Sequence, residues 1–381
     1  MAVGLGLSIG TVNTVSALAE EGSAKAPPGR RSAAERSPAV TRRTTLTFDS
    51  TGMARVGMIP RHGRAITEFA DLTQRTTMRA RVGHRALSRA DLVAVVVECL
   101  ITEARRDRRA VDAGIALTHP AGYTDNQVAE LRVALDAVGF GYVALVAEPV
   151  AAATWLEAER GPLMPGLALV YDLGGSTLDV TLVRVGAGCP RNPIVGVPLR
   201  SPKFGGRAFG ALVAERAGQG VAAASLSGAV TGTTADLLRA EHVRGSLELV
   251  YRCLRMADVT MADVDCVLVV GGAARPVEVS QVLAGELARP VITAPDPERT
   301  IADGAAIMAR RTAVAVEEAA GGHHGRKHRR ATTRALLLSR RTRRRLTKVA
   351  IAAGMSAGGV ALALALPADA VVAGLSQLGV R

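Results

Sequence analysis

Aromatic side chains are scarce in this 381-residue chain, where they make up 3% of the sequence and tryptophan occurs once. Hydrophobic residues nevertheless account for 48%, so the core is predicted to consist mainly of alanine, valine and leucine. A chain of this length has enough apolar surface for two or three domains.

Cysteine is also rare, and its residues are widely separated. They form no CxxC pair and no Cys/His spacing that is typical of zinc sites, which argues against a zinc-binding module. We expect free thiols in a reducing compartment. The N-terminus lacks a basic stretch followed by a long apolar run, so no signal peptide is predicted and residues 3–9 are interpreted as a first strand. The four cysteines are Cys99, Cys189, Cys253 and Cys266.

A large excess of one charge is absent from most of the chain. The net charge is +13, yet residues 1–318 hold 35 Lys and Arg against 33 Asp and Glu. A body so close to neutral does not present a basic nucleic-acid surface, and no nucleic-acid partner is expected. The positive charge is concentrated in residues 321–348, which contain eleven Lys or Arg and no acid.

The most informative stretch is LALVYDLGGSTLDVTLVRV, which begins at residue 167. An apolar run ends at Asp172, a turn follows at Gly174 and Gly175, and a second strand pattern comes next. Such a turn directs backbone amides, and the hydroxyls of Ser176 and Thr177, at anions. Asp172 is placed to hold a hydrated Mg²⁺ beside phosphates. An ordinary β-hairpin is the alternative interpretation.

A second copy of this layout lies about 160 residues earlier, in residues 3–18. There, Ser8-Ile9-Gly10-Thr11 aligns with Asp172-Leu173-Gly174-Gly175. Two such turns predict two related lobes that face one cleft. Elsewhere, strand patterns alternate with helix patterns, which indicates an α/β fold. The uncharged residues 218–233 are interpreted as a linker.

Six segments resemble, in the same order, the nucleotide-binding domain of the heat-shock protein 70 family. They are LTHPA (117–121), EPVAAA (148–153), DLGGSTLD (172–179), FGGRAF (204–209), VLVVGGAARP (267–276) and IADGAA (301–306). The resemblance covers residues 3–312. It implies an actin-like ATPase fold, with two duplicated ribonuclease-H-like lobes, that binds ATP and Mg²⁺.

The resemblance assigns phosphate binding to both glycine turns and base binding to a later glycine pair. The residues that would hold the β- and γ-phosphates are Gly10, Thr11, Asn13, Gly174, Gly175, Ser176 and Thr177. Those that would pack around the base and ribose are Gly271, Gly272 and Arg275. The guanidinium plane of Arg275 would lie on the adenine face.

The resemblance further assigns catalytic roles to Asp172, Glu148 and Thr177. Asp172 would position Mg²⁺ through waters, and Glu148 would orient the metal shell. Two of the residues that the resemblance assigns have a simpler alternative. Glu148 can be an acid that is stabilised at a helix N-terminus, and Arg275 can be a solvated surface charge.

Three features depart from the family pattern. Ser8 stands where the family's first turn has aspartate, and Val12 replaces a threonine. The segment that best matches the family's catalytic-lysine region, EFADL at residues 68–72, has no lysine. Phosphoryl transfer depends on positioned charge, so hydrolysis is predicted to be weak or lost. The outer part of the second lobe is shorter by about fifty residues, which predicts a reduced outer subdomain.

The sequence predicts five consecutive segments. They are a first lobe (1–153), a second lobe (154–318), a basic linker (319–348), a transmembrane helix (349–366) and a short tail (367–381). The eighteen uncharged residues of the fourth segment can cross a bilayer core. The basic run before it would keep the body at the cytoplasmic face of the cell membrane, with a single-pass C-terminal anchor. The alternatives are a disordered basic tail with a surface-lying helix, or a nucleic-acid-binding arm.

Several functions remain open at this point. The prediction adopted is an ATP-binding protein of this family that is anchored at the membrane and lacks the peptide-binding domain. Its expected partners are the nucleotide and a separate client-binding or co-chaperone protein. The alternatives are a non-enzymatic scaffold, an active ATPase chaperone with a separate peptide-binding subunit, and a sugar or acetate kinase.

Overall fold

Two five-stranded sheets dominate the computed structural model, which describes residues 2–20, 39–49, 52–59, 65–74, 80–82, 85–106, 113–223 and 232–321. Within this part the strands are β1 Gly4–Ile9, β2 Asn13–Ala19, β3 Ala39–Arg43, β4 Leu46–Phe48, β5 Ala54–Val56, β6 Ala80–Val82, β7 Arg85–Leu87, β8 Gly114–His119, β9 Ala144–Ala147, β10 Gly166–Leu173, β11 Leu178–Val185, β12 Ile194–Ser201, β13 Cys266–Val270 and β14 Val291–Thr293. The helices are α1 Arg89–Arg106, α2 Asp125–Ala137, α3 Glu148–Arg160, α4 Gly206–Ala223, α5 Gly232–Met256, α6 Val277–Leu287 and α7 Thr300–Gly321.

The two sheets have the same topology. Their strand orders are β3-β2-β1-β8-β9 and β12-β11-β10-β13-β14. In each sheet a hairpin pairs with an antiparallel strand on one side and with two parallel strands on the other. The α/β class with two sheet-based lobes is therefore confirmed, and the predicted internal repeat is visible in the order of the strands.

Alternate side chains of the hairpin strands enter different cores. Leu5 and Leu7 of β1 are buried against α1 and α2, and Leu169 and Tyr171 of β10 are buried against α5 and α6. The opposite faces of the two sheets pack on α3 and α7. Alanines from these two helices fill the middle layer, and they include Ala151, Ala152, Ala302, Ala305 and Ala306.

Helix α7 approaches its neighbours so closely that no side chain fits at the contact points. A Cβ atom added to Gly6 of β1 would lie 2.1 Å from the carbonyl oxygen of Ala302. One added to Gly304 of α7 would lie 1.8 Å from the carbonyl oxygen of Ala151 in α3. Backbone therefore packs directly on backbone here, which fits the predicted core of small residues.

Replacing Gly304 with alanine is expected to destabilise the fold by roughly 1–3 kcal/mol, because α3 and α7 must separate to admit the methyl group. Gly285 in α6 is the matched control, since a Cβ atom there meets nothing within 4 Å. Alanine at that position should stabilise its helix by up to ~1 kcal/mol. Thermal unfolding should show Tm shifts of opposite sign, and shifts of equal sign and size would contradict the close contact at Gly304.

The observed helices differ from one predicted linker. The linker predicted over residues 218–233 is wrong at both ends, because α4 continues to Ala223 and α5 already begins at Gly232. The uncharged, alanine-rich composition that suggested a linker is also compatible with helix. The boundary placed at residue 153 falls inside α3.

In the described part of the chain, no helix is both long and apolar enough to cross a membrane.

Most of the predicted C-terminal segments lie outside the described residues. Helix α7 reaches Gly321 and so includes the first residues of the predicted basic linker. The rest of that linker, the predicted transmembrane helix 349–366 and the tail 367–381 lie outside the described residues.

Candidate functional site

A cavity of about 370 Å³ opens between the two hairpin turns. Gly10 faces it from the first sheet and Gly174 from the second. Of the site residues predicted from the sequence, all but Ser176 line this cavity. The side-chain oxygen of Ser176 is instead buried without a hydrogen-bond partner. The predicted residues in the lining are Gly10, Thr11, Asn13, Glu148, Asp172, Gly174, Gly175, Thr177, Gly271, Gly272 and Arg275.

The two turns have the same backbone geometry. The amide of Gly10 donates to the carbonyl of Asn13 at 3.0 Å, and the amide of Gly174 donates to the carbonyl of Thr177 at 2.9 Å. The turns also touch each other, because a Cβ atom added to Gly175 would lie only 2.3 Å from a methyl carbon of Val12. The cavity is therefore bounded by two equivalent turns, one from each lobe.

A row of charged residues crosses the second sheet beside the cavity. Asp172 on β10 pairs with Asp179 on β11, which in turn pairs with Arg200 on β12. Arg200 Nε lies 3.1 Å from Asp179 Oδ1, and Arg200 Nη1 lies 3.4 Å from Asp71 Oδ1 in the first lobe. Arg200 Nη2 also donates to the hydroxyl of Thr177 at 3.3 Å. One guanidinium thus joins carboxylates of both lobes.

Comparison with known proteins identifies the family. A family model described as Hsp70 protein matches residues 65–218 and 219–318. The chain belongs to the Hsp70 family. The resemblance noted from the sequence is thus confirmed, and the two-lobed architecture fits the nucleotide-binding domain of that family.

Curated relatives of this Hsp70-family chain are named as chaperones. Chaperone protein HscA of Serratia proteamaculans is 29% identical over 253 residues, which cover 57% of this chain and 40% of the relative. The HscA of Proteus mirabilis is 29% identical over 229 residues, or 51% of this chain and 36% of the relative. An HscA homolog of Verminephrobacter eiseniae is 28% identical over 236 residues, with 52% and 37% covered. The chain spans about two fifths of the length of these relatives.

In the described part of the chain, five carboxylates and three guanidinium groups line the cavity. Burial, and then the neighbouring charge of Asp179, raises the pKa of Asp172 to about 7, and Arg200 opposes this shift. Burial, and then the charge of Asp172, raises the pKa of Glu148 well above its ordinary value. The pKa of Asp179 is also raised by burial, against the effect of Arg200. The arrangement therefore favours the arrival of a further cation.

This set of donors fits the Mg²⁺ that the family implies. Carboxylate oxygens are its preferred protein ligands, and Mg²⁺ usually keeps several of its waters. Among the described residues, no three His, Cys, Asp or Glu side chains converge closely enough to ligate a metal directly. Contact with Asp172 and Glu148 through waters is compatible with both observations.

Glu298 connects two of the predicted nucleotide ligands. Its Oε1 accepts from Asn13 Nδ2 at 2.5 Å, and its Oε2 lies 2.6 Å from Arg275 Nη2. Arg275 is 52% exposed and also pairs with Asp296 at 3.0 Å. The guanidinium of Arg275 is therefore held by two carboxylates at the cavity wall, while about half of its side chain remains exposed.

The cavity also contains residues that differ from the family pattern or were not predicted. Ser8 lines it at the position equivalent to Asp172, and Val12 lies between the turns. The 68–72 segment does reach the cavity, but it has no lysine and contributes the carboxylate of Asp71. The lining residues that the sequence analysis missed as site residues include Asp71, Asp179, Arg200, Arg207 and Glu298.

Proposed function

We propose that this Hsp70-family chain binds ATP, together with Mg²⁺, between its two lobes and hydrolyses it weakly. One observation carries the proposal: the glycine turns of both lobes open onto one cavity that Asp172 and Glu148 also line. Glycine turns with free amides bind anions, and two of them on opposite walls suit a chain of phosphates.

Different residues would bind the phosphates, the Mg²⁺ ion, and the base and ribose. The turn amides and the hydroxyl of Thr11 would donate to the phosphates. The hydroxyl of Thr177 would do so after leaving Asp179 Oδ2, to which it donates at 2.9 Å. Asp172 and Glu148 would hold Mg²⁺ through waters, and the ion would neutralise charge on the phosphate oxygens. Gly271 and Gly272 would let the base and ribose approach the backbone, beside Arg275.

The weakness of hydrolysis is proposed from the charges around the cavity. Ser8 provides no carboxylate, and the 68–72 segment has no lysine and lines the cavity with Asp71. Because phosphoryl transfer is accelerated by charges positioned on the phosphates and on the attacking water, both changes should lower the rate.

Calorimetry and phosphate release together test the proposal. Titration with millimolar Mg-ATP should give a saturable heat with one site per chain. Phosphate release should be slow compared with the 1–100 s⁻¹ that is typical of kinases. The absence of saturable heat would overturn nucleotide binding, whereas release at such rates would overturn only the proposed weakness of hydrolysis.

Replacing Glu298 with glutamine is expected to tighten ATP binding by about tenfold, since Asn13 and Arg275 would no longer be held by a charged competitor. Glu248 is a suitable control because its ion pair with Arg255, at 2.9 Å, is exposed and lies on α5 outside the cavity. Calorimetry on the Glu298→Gln and Glu248→Gln variants measures both effects. Unchanged or weaker binding in the Glu298 variant would contradict the competition.

A non-enzymatic scaffold is the second candidate, and contacts between the lobes favour it. Arg207 Nη1 lies 2.8 Å from Glu68 Oε1, and Asn13 and Arg200 also bond across the cleft. Protein groups alone can therefore join the two lobes. A nucleotide that is retained by the protein through purification would rule out this alternative.

We also propose that residues 349–366 anchor the protein in the membrane, with its body at the cytoplasmic face. The support comes from the sequence alone, in which an uncharged run follows a strongly basic one. The full chain should remain in the membrane pellet after alkaline carbonate washing, and a variant lacking 349–366 should not. Release of the full chain by carbonate would contradict the anchor.

A chaperone-type role with a separate client or co-chaperone protein is proposed from the names of the relatives. Affinity capture with the full chain, in the presence of ATP and of ADP, should recover a partner in one nucleotide state only. Recovery that is the same in both states would argue against coupling between the nucleotide and a partner.

A further inference from the structure

Arg200 has no counterpart in the sequence motifs, yet its guanidinium lies on the wall of the cavity. It is on β12, the edge strand of the second sheet, where strand pairing places it beside Asp179. Its side chain is only 20% exposed. Strand register and burial therefore fix the position of this cation, unlike that of a long side chain on the surface.

The surroundings of Arg200 place it next to a predicted phosphate ligand. Its Nη2 lies 3.3 Å from the hydroxyl of Thr177, and its Nη1 reaches Asp71 across the cleft. The Thr177 hydroxyl itself donates to Asp179 Oδ2 at 2.9 Å, and a phosphate bound at this turn would come within reach of the same guanidinium. Arginine is well suited to this contact because its planar fork donates two parallel hydrogen bonds to phosphate oxygens.

The carboxylates around Arg200 explain why a cation is needed at this place. Asp172 and Asp179 are direct cross-strand partners, and like charges in such positions repel each other. The first lobe adds Asp71 to the same wall. A phosphate group that approaches this wall meets mostly negative charge, which the guanidinium of Arg200 would offset together with Mg²⁺.

We propose that Arg200 contacts the terminal phosphate of a bound nucleoside triphosphate, and that it supplies from the second lobe the positive charge missing from the 68–72 segment of the first. The inference rests on the proposed function. It makes Arg200 a determinant of specificity, because the contact exists for a triphosphate and is lost for a diphosphate.

Binding of a non-hydrolysable ATP analogue and of ADP, each with Mg²⁺, tests this role by calorimetry. Arg200→Ala should weaken binding of the analogue by roughly 10- to 100-fold and that of ADP by less than about threefold. Arg200→Lys should lie between wild type and Arg200→Ala for the analogue, since lysine keeps the charge and loses the fork. Arg255→Ala is the control, because Arg255 forms an exposed ion pair with Glu248 on α5.

The outcomes separate the inference from the function on which it rests. Equal weakening of both nucleotides, or no weakening of either, would overturn the role of Arg200 and leave ATP binding intact. A wild-type protein that binds neither nucleotide would overturn both. Because Arg200→Ala leaves buried carboxylates unpaired, near-ultraviolet circular dichroism checks its fold. If Arg200→Ala does not fold, the ratio of analogue affinity to ADP affinity is measured in Arg200→Lys instead. A ratio equal to that of the wild-type protein would contradict the proposal.

Discussion

Asp172→Asn is expected to stabilise the ligand-free protein while it weakens binding of Mg-ATP by about 10- to 100-fold. The loss of affinity follows from removing the charge that would hold the hydrated Mg²⁺. The gain in stability follows because the wild-type carboxylate is buried beside Asp179, which raises its pKa to about 7. A residue that would serve ligand binding and that costs stability is a common form of the trade-off between stability and function.

The dependence on pH gives this prediction a definite sign. The pKa of Asp172 rises from 3.8 in a freely solvated carboxyl to about 7 in the folded protein. Between these values the folded state binds more protons than the unfolded state, so the free energy of unfolding falls as the pH rises. Above pH 7 the full cost is present, up to roughly 4 kcal/mol.

Thermal unfolding without ligand measures this difference. The Tm of Asp172→Asn should equal that of wild type near pH 4 and exceed it near pH 8, by roughly 5 °C. Asp258→Asn, at an exposed position after α5, is the control and should show little dependence of its Tm difference on pH. An Asp172 variant less stable than wild type at pH 8 would contradict the electrostatic account of this cavity.

Gly175→Ala is expected to weaken ATP binding by at least about tenfold. A Cβ atom at this position would lie 2.3 Å from a methyl carbon of Val12 in the opposite turn. The two turns must therefore move apart, and amides from both walls can no longer meet one chain of phosphates. Calorimetry with Mg-ATP measures the loss.

A second substitution separates this steric effect from a local defect in the turn. Val12→Ala removes the methyl carbon at 2.3 Å and leaves the Cβ atom of residue 12 at 2.9 Å, so the double variant should recover part of the lost affinity. The interaction free energy of the cycle should be favourable and on the order of 1 kcal/mol. Additive effects of the two substitutions would show that the turns do not press on each other.

The positions of the two turns could be predicted because glycine and hydroxyl residues between two strand patterns form a local signal. The same turn occurs twice, at Gly10 and at Gly174, and the repeat itself indicated two lobes. The register of the second hairpin could also have been used to predict which of its residues are cross-strand partners. Its turn pairs Leu173 with Leu178, so Asp172 and Asp179 had to face each other.

Arg200 could not be predicted in this way. It lies 21 positions beyond Asp179 in the chain, and the pairing of β11 with β12 contains a register shift between Val180 and Leu182. Counting residues along β11 and β12 therefore does not identify the cross-strand partner of Arg200. The contact of Arg200 with Asp71 depends on how the two lobes meet, which is a tertiary property that no local pattern carries.

Hydrogen exchange of the backbone amides, with and without Mg-ATP, tests most directly whether the two turns form one phosphate site. Residues 10–13 and 174–177 are predicted to become protected together and at the same nucleotide concentration. Protection of one turn without the other, or of neither at saturating Mg-ATP, would contradict a shared site.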